Sequence, residues 1–251
     1  MNVVRKILIA LFVGLFMGGI FYALYPFLMG RWLEHQYAGE AENFLYHTMP
    51  ATAVQSSIPD DPRSPVVTVP IKHKDLWDAM REYNERIFEE NQIGLCDAWS
   101  YQTPSFDLAT YGIEDGIVGV IYVPALDVEL PIYLGANSAN MAKGAVHLSQ
   151  TSLPIGGENT NAVIAAHRGW YDAAYFRYIE KLNVGDQITI TNLWETLIYQ
   201  VTEIKIIDPN DVDEILIQPG KDMVTLLTCH PYASGGRQRY VVYCERIGAP
   251  A

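Results

Sequence analysis

Residues that can carry out acyl transfer lie next to short apolar segments of this chain. Cys229 follows residues 225–228 and is itself followed ten positions later by Arg239. A thiol acts as a nucleophile only as the thiolate, and a neighbouring positive charge favours that ionised form. His167 follows another apolar run, residues 162–166, and supplies the imidazole that such chemistry requires. The pattern predicts a cysteine-centred site for covalent acyl transfer.

The expected pairing of two neighbouring segments places Arg239 beside Cys229. Residues 230–238 form a loop between two apolar segments, and in an antiparallel pair the start of one strand lies next to the end of the other. This arrangement would aim a fixed cation at a developing oxyanion. Arg237 is the alternative cation, and a surface charge without a role in chemistry is the alternative interpretation of Arg239.

The elements that must position these residues are short strands separated by turn residues. Eight such segments follow one another, and their spacing predicts a closed barrel or a sandwich. They cover residues 117–123, 128–133, 144–148, 162–166, 187–191, 197–207, 223–228 and 240–245. The predicted fold class is therefore mainly β.

Two peripheral helices are also predicted. Residues 71–91 are polar and helix-favouring, and their apolar residues recur at the spacing of one helix face. These apolar residues are Leu76, Met80, Tyr83 and Ile87. A second helix is expected over residues 173–182, with Asp172 as its N-cap. Both helices should pack on the outside of the β-domain.

The N-terminal segment is long and apolar enough to cross a membrane. Residues 7–30 contain no charge, and at ~1.5 Å per residue they span a hydrocarbon layer of ~30 Å. Arg5 and Lys6 precede the segment, which predicts a cytoplasmic N-terminus and a domain outside the cell. A cleaved signal peptide is the alternative interpretation.

Composition restricts the possible partners. The formal net charge of −12 argues against a nucleic-acid partner, because phosphate binding requires a basic surface. Of the three cysteines, at least one must stay unpaired, and Cys229 is the obvious candidate. Cys244 is expected to be a small buried hydrophobe and not half of a bridge to Cys96. The sequence contains no metal-ligand cluster or phosphate-binding loop, so we expect no cofactor.

The segments around the candidate residues resemble those of the sortase transpeptidases of Gram-positive bacteria, most closely the pilus-assembling class C. Ala166-His167-Arg168-Gly169 and residues 225–232 carry the strongest similarity. The similarity extends over roughly residues 71–247. Further matching segments are residues 123–126, 130–133, 151–154, 181–186 and 220–224.

This resemblance implies an eight-stranded sortase-type β-barrel with a few peripheral helices. It also implies four parts of the chain, which are a cytoplasmic tip and membrane anchor, a juxtamembrane segment with a linker, a catalytic domain and a tail. The parts are expected at residues 1–30, 31–70, 71–247 and 248–251.

The resemblance also implies a role for each candidate residue. Cys229 is expected to attack a carbonyl carbon, and His167 to protonate the departing amine and later deprotonate the incoming one. Arg239 is preferred to Arg237 because residues 240–242 resemble the apolar triplet that follows the catalytic arginine in the family.

Residues 94–107 resemble the lid of class C sortases, in which an Asp-Pro-aromatic motif lies across the empty site. Here Asp97 and Trp99 flank an alanine in place of the proline. Asp97 is expected to pair with Arg239, and Trp99 to cover Cys229. Such a lid would exclude water until a substrate displaces it. A surface loop with one half-buried tryptophan is the alternative.

The reaction implied is transpeptidation outside the cell. An LPXTG-like sorting signal would be cleaved, and a lysine amine of the next pilin would resolve the thioacyl enzyme, so that pilins become polymerised. One alternative is a sortase that attaches surface proteins to cell-wall precursor. Another is a membrane-anchored assembly scaffold without catalytic activity.

Overall fold

The computed structural model describes residues 3–48, 73–93, 95, 103–105 and 107–248. Most of the predicted linker, Cys96 and the predicted lid residues Asp97 and Trp99 lie outside the described residues. The structure therefore does not test the lid, which remains a prediction.

Eight strands form a closed barrel in the order β1-β2-β3-β4-β7-β8-β6-β5. The strands are β1 Ile117–Val123, β2 Val128–Leu134, β3 Ala145–His147, β4 Thr160–Ala165, β5 Gln187–Asn192, β6 Thr196–Ile207, β7 Asp222–His230 and β8 Gln238–Arg246. This confirms the predicted eight-stranded β-barrel and excludes the sandwich. Each predicted strand corresponds to one observed strand, with bounds that differ by at most two residues.

The pairing of three strands brings their ends together at one end of the barrel. β4 runs parallel to β7, and β7 runs antiparallel to β8. The C-terminal ends of β4 and β7 therefore meet the N-terminal end of β8. We call this the Cys229 end, because Cys229 is the penultimate residue of β7.

Helix α2, Lys74–Glu89, packs on the barrel with the face that the sequence predicts. Its apolar residues Leu76, Met80, Tyr83 and Ile87 are all buried. Among them lies the buried Asn84, whose side chain accepts a hydrogen bond from Leu153 N at 2.7 Å and donates one to Leu153 O at 3.2 Å. These two bonds satisfy a buried amide that would otherwise be costly. A short helix, α3 Ser138–Met141, follows β2.

The predicted helix over residues 173–182 is wrong. Only a single turn of 3₁₀ helix, Ile179–Lys181, forms there. Tyr171 and Tyr175 have φ values of 51° and 43°, in the left-handed region that an α-helix cannot contain. Phe176 N donates to His167 O at 3.0 Å, so the segment folds back onto the residues that precede it. A tertiary contact has therefore replaced the local helical pattern.

Helix α1 runs without interruption from Val3 to Thr48, well beyond the apolar segment. It is the one helix among the described residues that is long and apolar enough to cross a membrane. Beyond residue 28 one face of α1 packs against the barrel. The buried residues of that face are Gly30, Leu33, Ala41 and Phe44. Tyr133 on β2 also donates a hydrogen bond to Glu40 Oε2 at 2.8 Å.

Gly30 allows α1 to approach the barrel closely. A Cβ at Gly30 would lie 2.7 Å from Asp172 Cβ and 2.8 Å from Ala173 N, closer than a carbon atom can approach. We expect Gly30→Ala to weaken the docking of α1 by about 1–3 kcal/mol, the usual cost of overpacking. Hydrogen–deuterium exchange over residues 31–48 should accelerate by roughly tenfold or more.

Gly39→Ala is the matched control for this prediction. No atom lies within 4 Å of the added Cβ at Gly39, and alanine favours a helix over glycine by about 1 kcal/mol. Gly39→Ala should therefore leave exchange unchanged or slow it. Equal behaviour of the two variants would show that Gly30 makes no close contact.

Candidate active site

Strand pairing places Cys229 and Arg239 directly opposite each other. The two residues are register partners in the antiparallel pair of β7 and β8. Arg239 is buried, with 6% of its surface exposed, whereas Arg237 on the preceding loop is exposed. The geometry thus favours Arg239 over Arg237 as the cation beside the thiol.

Gly236 lies next to both the thiol and the guanidinium. A Cβ built at Gly236 would lie 3.1 Å from Arg239 Nη1 and 3.2 Å from Cys229 Sγ. The residue also has a φ of 79°, a conformation that a side chain would strain. Arg239 Nη1 donates to Gly236 O at 2.6 Å and to Gln238 O at 3.2 Å. The backbone of this loop therefore helps to hold the guanidinium in place.

His167 lies two residues beyond the end of β4, and hydrogen bonds fix the chain that leads to it. Ala166 N donates to Leu227 O at 3.2 Å, and Thr228 Oγ1 donates to Ala166 O at 2.8 Å. These bonds attach the chain just before His167 to the part of β7 just before Cys229. Both residues accordingly belong to the Cys229 end.

Two aromatic rings orient the imidazole of His167. The ring of Trp170 stacks on it with centroids 4.7 Å apart and an interplanar angle of 13°. The ring of Tyr175 meets it edge-on at 6.0 Å and 89°. Sequence reasoning missed both aromatic residues, because it placed Tyr175 in a helix and assigned Trp170 no role.

One cavity of about 400 Å³ contains all three predicted residues. Part of its wall comes from the segment that joins β2 to β3, and another part from the loop between β7 and β8. The lining residues are Ala136, Ser138, Met141, Ala142, His167, Trp170, Cys229, Gly235, Gly236 and Arg239. The structure thus brings together a thiol, an imidazole and a guanidinium that are far apart in the sequence.

A buried arginine that the sequence analysis did not select supports the backbone of Cys229. Arg168 Nη1 donates to Cys229 O at 3.2 Å and to His230 Nδ1 at 2.7 Å. Its Nη2 forms an ion pair with Glu180 Oε1 at 2.6 Å. The only sequence signal for Arg168 was its position directly after His167. Its partner Glu180 lies in the segment that was mispredicted as a helix.

Burial keeps both the thiol and the imidazole mostly neutral. Desolvation raises the pKa of Cys229 above its ordinary value, although the charge of Arg239 and then that of Arg168 act to lower it. Desolvation also lowers the pKa of His167. The pair of thiolate and imidazolium is consequently a minor species near neutral pH, held in a site whose cations favour the thiolate.

His147 of β3 and Cys244 of β8 have structural positions. His147 is fully buried, its Nε2 lies 2.9 Å from Ser152 O, and burial lowers its pKa to about 4. Cys244 is a free and fully buried thiol, which confirms the prediction for that residue. No group of three or more metal-ligating side chains occurs among the residues that the structure describes.

The pKa shifts predict how thiol alkylation depends on pH. Because the folded-state pKa of Cys229 is raised, its reaction with iodoacetamide should accelerate with pH around a midpoint above that of the unfolded chain in urea. Arg239→Gln removes a charge that lowers this pKa, so the midpoint should move to still higher pH. The measurement is the rate of carbamidomethylation of the Cys229 peptide between pH 6 and 11.

Arg237→Gln provides the control for charge alone, since Arg237 is exposed. This variant should leave the midpoint of Cys229 alkylation in place. A midpoint below that of the unfolded chain, or an equal shift in both variants, would contradict the electrostatic description of the site.

Comparison with known proteins identifies the class of protein. The sortase domain family model matches residues 121–247, about half of the chain. Sortase A of Listeria monocytogenes is 35% identical over 166 residues, which cover 63% of this chain and 72% of that protein. Sortase D of Bacillus subtilis is 30% identical over 131 residues, 51% of this chain, and the match spans only 63% of the length of that protein. The chain belongs to the sortase family, whose members are cysteine transpeptidases of the cell surface.

Among solved structures, the fold is similar to that of sortase C enzymes. The sortase C1 of GBS pilus island 1 superimposes with a TM-score of 0.65 at 31% identity, covering 72% of this chain and 91% of that chain. A lid mutant of Streptococcus agalactiae sortase C1 gives a TM-score of 0.63 at 32% identity, with coverages of 71% and 91%. These similarities agree with the barrel and with the class that the sequence analysis favoured.

Proposed function

We propose that this chain is a membrane-anchored transpeptidase that polymerises pilin subunits. Its substrate carries an LPXTG-like sorting signal, and its acceptor is a lysine amine of the next pilin. The observation that carries the proposal is the convergence of Cys229, His167 and Arg239 in one cavity. Similarity to the sortase C1 of a pilus island supports the choice of pilin as substrate.

The first half of the reaction forms a thioester. The thiolate of Cys229 attacks the carbonyl carbon of the threonine in the sorting signal, and the carbonyl oxygen becomes an oxyanion. Arg239, which is buried and faces Cys229, stabilises that negative charge. The C–N bond then breaks, and protonated His167 gives its proton to the departing amine.

The second half transfers the acyl group. A neutral lysine amine attacks the thioester carbonyl, and His167 now accepts the proton that the amine must lose. The C–S bond breaks, an isopeptide bond remains, and the sulfur of Cys229 leaves as the thiolate, which restores the starting pair. The reaction requires no redox step and no cofactor.

Membrane anchoring by α1 is part of the proposal. Residues 7–30 of α1 would cross the bilayer, and Arg5 and Lys6 would hold the N-terminus in the cytoplasm. The barrel then lies outside the cell, where pilins are assembled. The exposure of residues 7–28 in the structure supports the assignment, because a soluble protein would bury such an apolar surface.

Incubation of the full-length chain in detergent micelles or nanodiscs with purified pilin tests the proposal. We expect ladders of covalent pilin multimers that survive boiling in denaturant, with isopeptide bonds visible by mass spectrometry. Release of single cleaved pilins without ladders would favour the second candidate, attachment of surface proteins to cell-wall precursor, which the similarity to Sortase A supports. Absence of any cleavage and of any acyl-enzyme would favour a scaffold.

The lid is a separate proposal about control of the site. Both ends of the lid segment are fixed to the barrel, since Leu95 is buried and Ser149 Oγ donates to Thr103 O at 2.5 Å. If Asp97 pairs with Arg239 and Trp99 covers Cys229, Asp97→Ala should raise the basal hydrolysis of a sorting-signal peptide several-fold. Thiol alkylation of Cys229 should accelerate in parallel.

Asp213→Ala is the control for Asp97→Ala, because Asp213 is also an exposed carboxylate, on the 3₁₀ helix Val212–Ile215. It should change neither rate. The lid proposal fails if Asp97→Ala leaves hydrolysis and alkylation at the level of the unmodified chain.

A further inference from the structure

Helix α1 leaves the barrel at the Cys229 end. Tyr25, inside the apolar segment, meets Tyr171 edge-on with ring centroids 5.7 Å apart. Gly30 contacts the backbone at Ala173, and Tyr37 lies against Tyr175 at 5.4 Å. All three contacts are made with the segment that follows His167. The membrane-spanning half of α1 therefore begins next to the candidate active site.

The rest of α1 runs towards the opposite end of the barrel. Phe44 lines a cavity together with Leu193, which follows the last residue of β5. Near the adjoining start of β6, Tyr199 pairs with Arg246 of β8. Arg246 is seven residues from Arg239, which places it about 23 Å from the Cys229 end. Phe44 is 14 residues from Gly30, about 21 Å along the helix. Helix α1 thus follows the barrel from one end to the other.

An exposed aromatic patch surrounds the point at which α1 leaves the barrel. Trp170 and Tyr171 are each 43% exposed, and Tyr232 is 54% exposed. Arg177, whose side chain is only 16% exposed, lies beneath them: its Nη1 pairs with Asp172 Oδ1 at 3.3 Å, its Nη2 donates to Tyr171 O at 3.0 Å, and its guanidinium lies 5.7 Å from the centroid of the Tyr232 ring. On α1 the exposed Trp32 lies just beyond the apolar segment. We call the exposed residues Trp170, Tyr171 and Tyr232 the interfacial patch.

Such a composition matches the boundary between hydrocarbon and water. Trp and Tyr have an apolar body and a polar tip, so they concentrate at the headgroup level of membranes. Tyr25 contacts the patch from within the apolar segment, so the patch continues the surface that already faces lipid. This continuity favours a bilayer over a protein as the occupant.

We propose that the interfacial patch lies in the headgroup region of the bilayer, so that the Cys229 end of the barrel faces the membrane. The inference rests on the proposed membrane anchoring by α1. Trp170 belongs both to the patch and to the cavity that holds Cys229. The cavity consequently opens close to the lipid surface, and the site takes acyl donors whose scissile bond lies near that surface.

Depth-dependent quenching in nanodiscs of phosphatidylcholine and phosphatidylglycerol tests this orientation. The full chain would carry Cys96→Ser and Cys229→Ala, with one new cysteine bearing a fluorophore. Tyr232→Cys reports on the interfacial patch. The matched control is Ile198→Cys, because Ile198 is exposed near the opposite end of the barrel, where its carbonyl accepts a hydrogen bond from Ile247 N.

We expect a nitroxide on the lipid headgroup to quench the label at position 232 at least threefold more than the label at position 198. Equal quenching of the two labels overturns the proposal. A third label, Leu15→Cys, tests the anchoring on its own, since it should be quenched by a nitroxide deep in the acyl chains. If the label at position 15 is quenched but the labels at 232 and 198 are quenched equally, the orientation alone is rejected. If the label at position 15 is not quenched, both the orientation and the anchoring are rejected.

A second measurement avoids substitutions in the patch. The unmodified chain in nanodiscs with a photoactivatable headgroup lipid should form adducts on residues 170–178 and 231–235. Adducts confined to other parts of the barrel, such as residues 195–198, would overturn the proposal. The proposal would also be overturned if the lipid left the interfacial patch unlabelled and the patch became protected only when a protein partner was added.

Discussion

We expect replacement of Cys229 by alanine to abolish both the acyl-enzyme and the transfer of acyl groups, a loss on the order of 10⁴- to 10⁶-fold. The reason is chemical, because in the proposed reaction the sulfur of Cys229 forms the covalent bond, and no other thiol of the described barrel reaches the cavity. Mass spectrometry of the chain after incubation with a sorting-signal peptide measures the acyl adduct. Cys229→Ser should also fail, although it keeps the shape of the side chain, since an alkoxide forms far less readily than a thiolate.

Cys244→Ala is the matched control for this experiment. Cys244 is fully buried among core residues of the barrel, so its loss should lower the free energy of unfolding slightly and leave the acyl adduct intact. Circular dichroism of Cys229→Ala must show a folded barrel. An adduct on Cys229→Ala would show that another residue is acylated. Unfolding of that variant would assign Cys229 a structural role.

We expect replacement of Arg239 by alanine to lower kcat by roughly 10²- to 10³-fold, the usual cost of losing one stabilising group at an oxyanion. Arg239 is buried, faces Cys229 across the β7–β8 pair and is held by the carbonyl oxygens of Gly236 and Gln238. Its charge is therefore fixed before the substrate arrives. Arg239→Lys should restore little activity, because an ammonium lacks the fork of donors that the loop carbonyls orient.

Arg237→Ala separates position from charge. This exposed arginine is two residues away and carries the same charge, so its removal should change kcat less than twofold. A loss confined to KM in Arg239→Ala would assign Arg239 to substrate binding. Equal losses in Arg237→Ala and Arg239→Ala would mean that the net charge of the loop, and not the pairing with Cys229, supports the reaction.

The proposed orientation at the membrane connects these chemical roles to the path of α1. The segment that carries Trp170, Tyr171 and Tyr175 contacts α1 on one side and the ring of His167 on the other. Any force that moves α1 relative to the barrel would therefore act on the imidazole.

The sequence determined the local elements of this protein. Alternation and short apolar runs located all eight strands, and helical spacing located α2, because both patterns arise from neighbouring residues and the period of one element. The residue types of Cys229, His167 and Arg239 predicted the chemistry that we propose. The helix predicted at residues 173–182 was wrong because a local pattern cannot register the backbone bond from Phe176 to His167.

Only the tertiary structure decided which elements meet. Parallel pairing of β4 with β7 brings residues 62 positions apart in the sequence, His167 and Cys229, to the same end of the barrel. The contact of Arg168 with Cys229 and Glu180, and the direction in which α1 crosses the barrel, depend in the same way on register and docking. Such contacts produce no periodic pattern of residue types in the sequence, since the free energy that selects them comes from packing between distant segments.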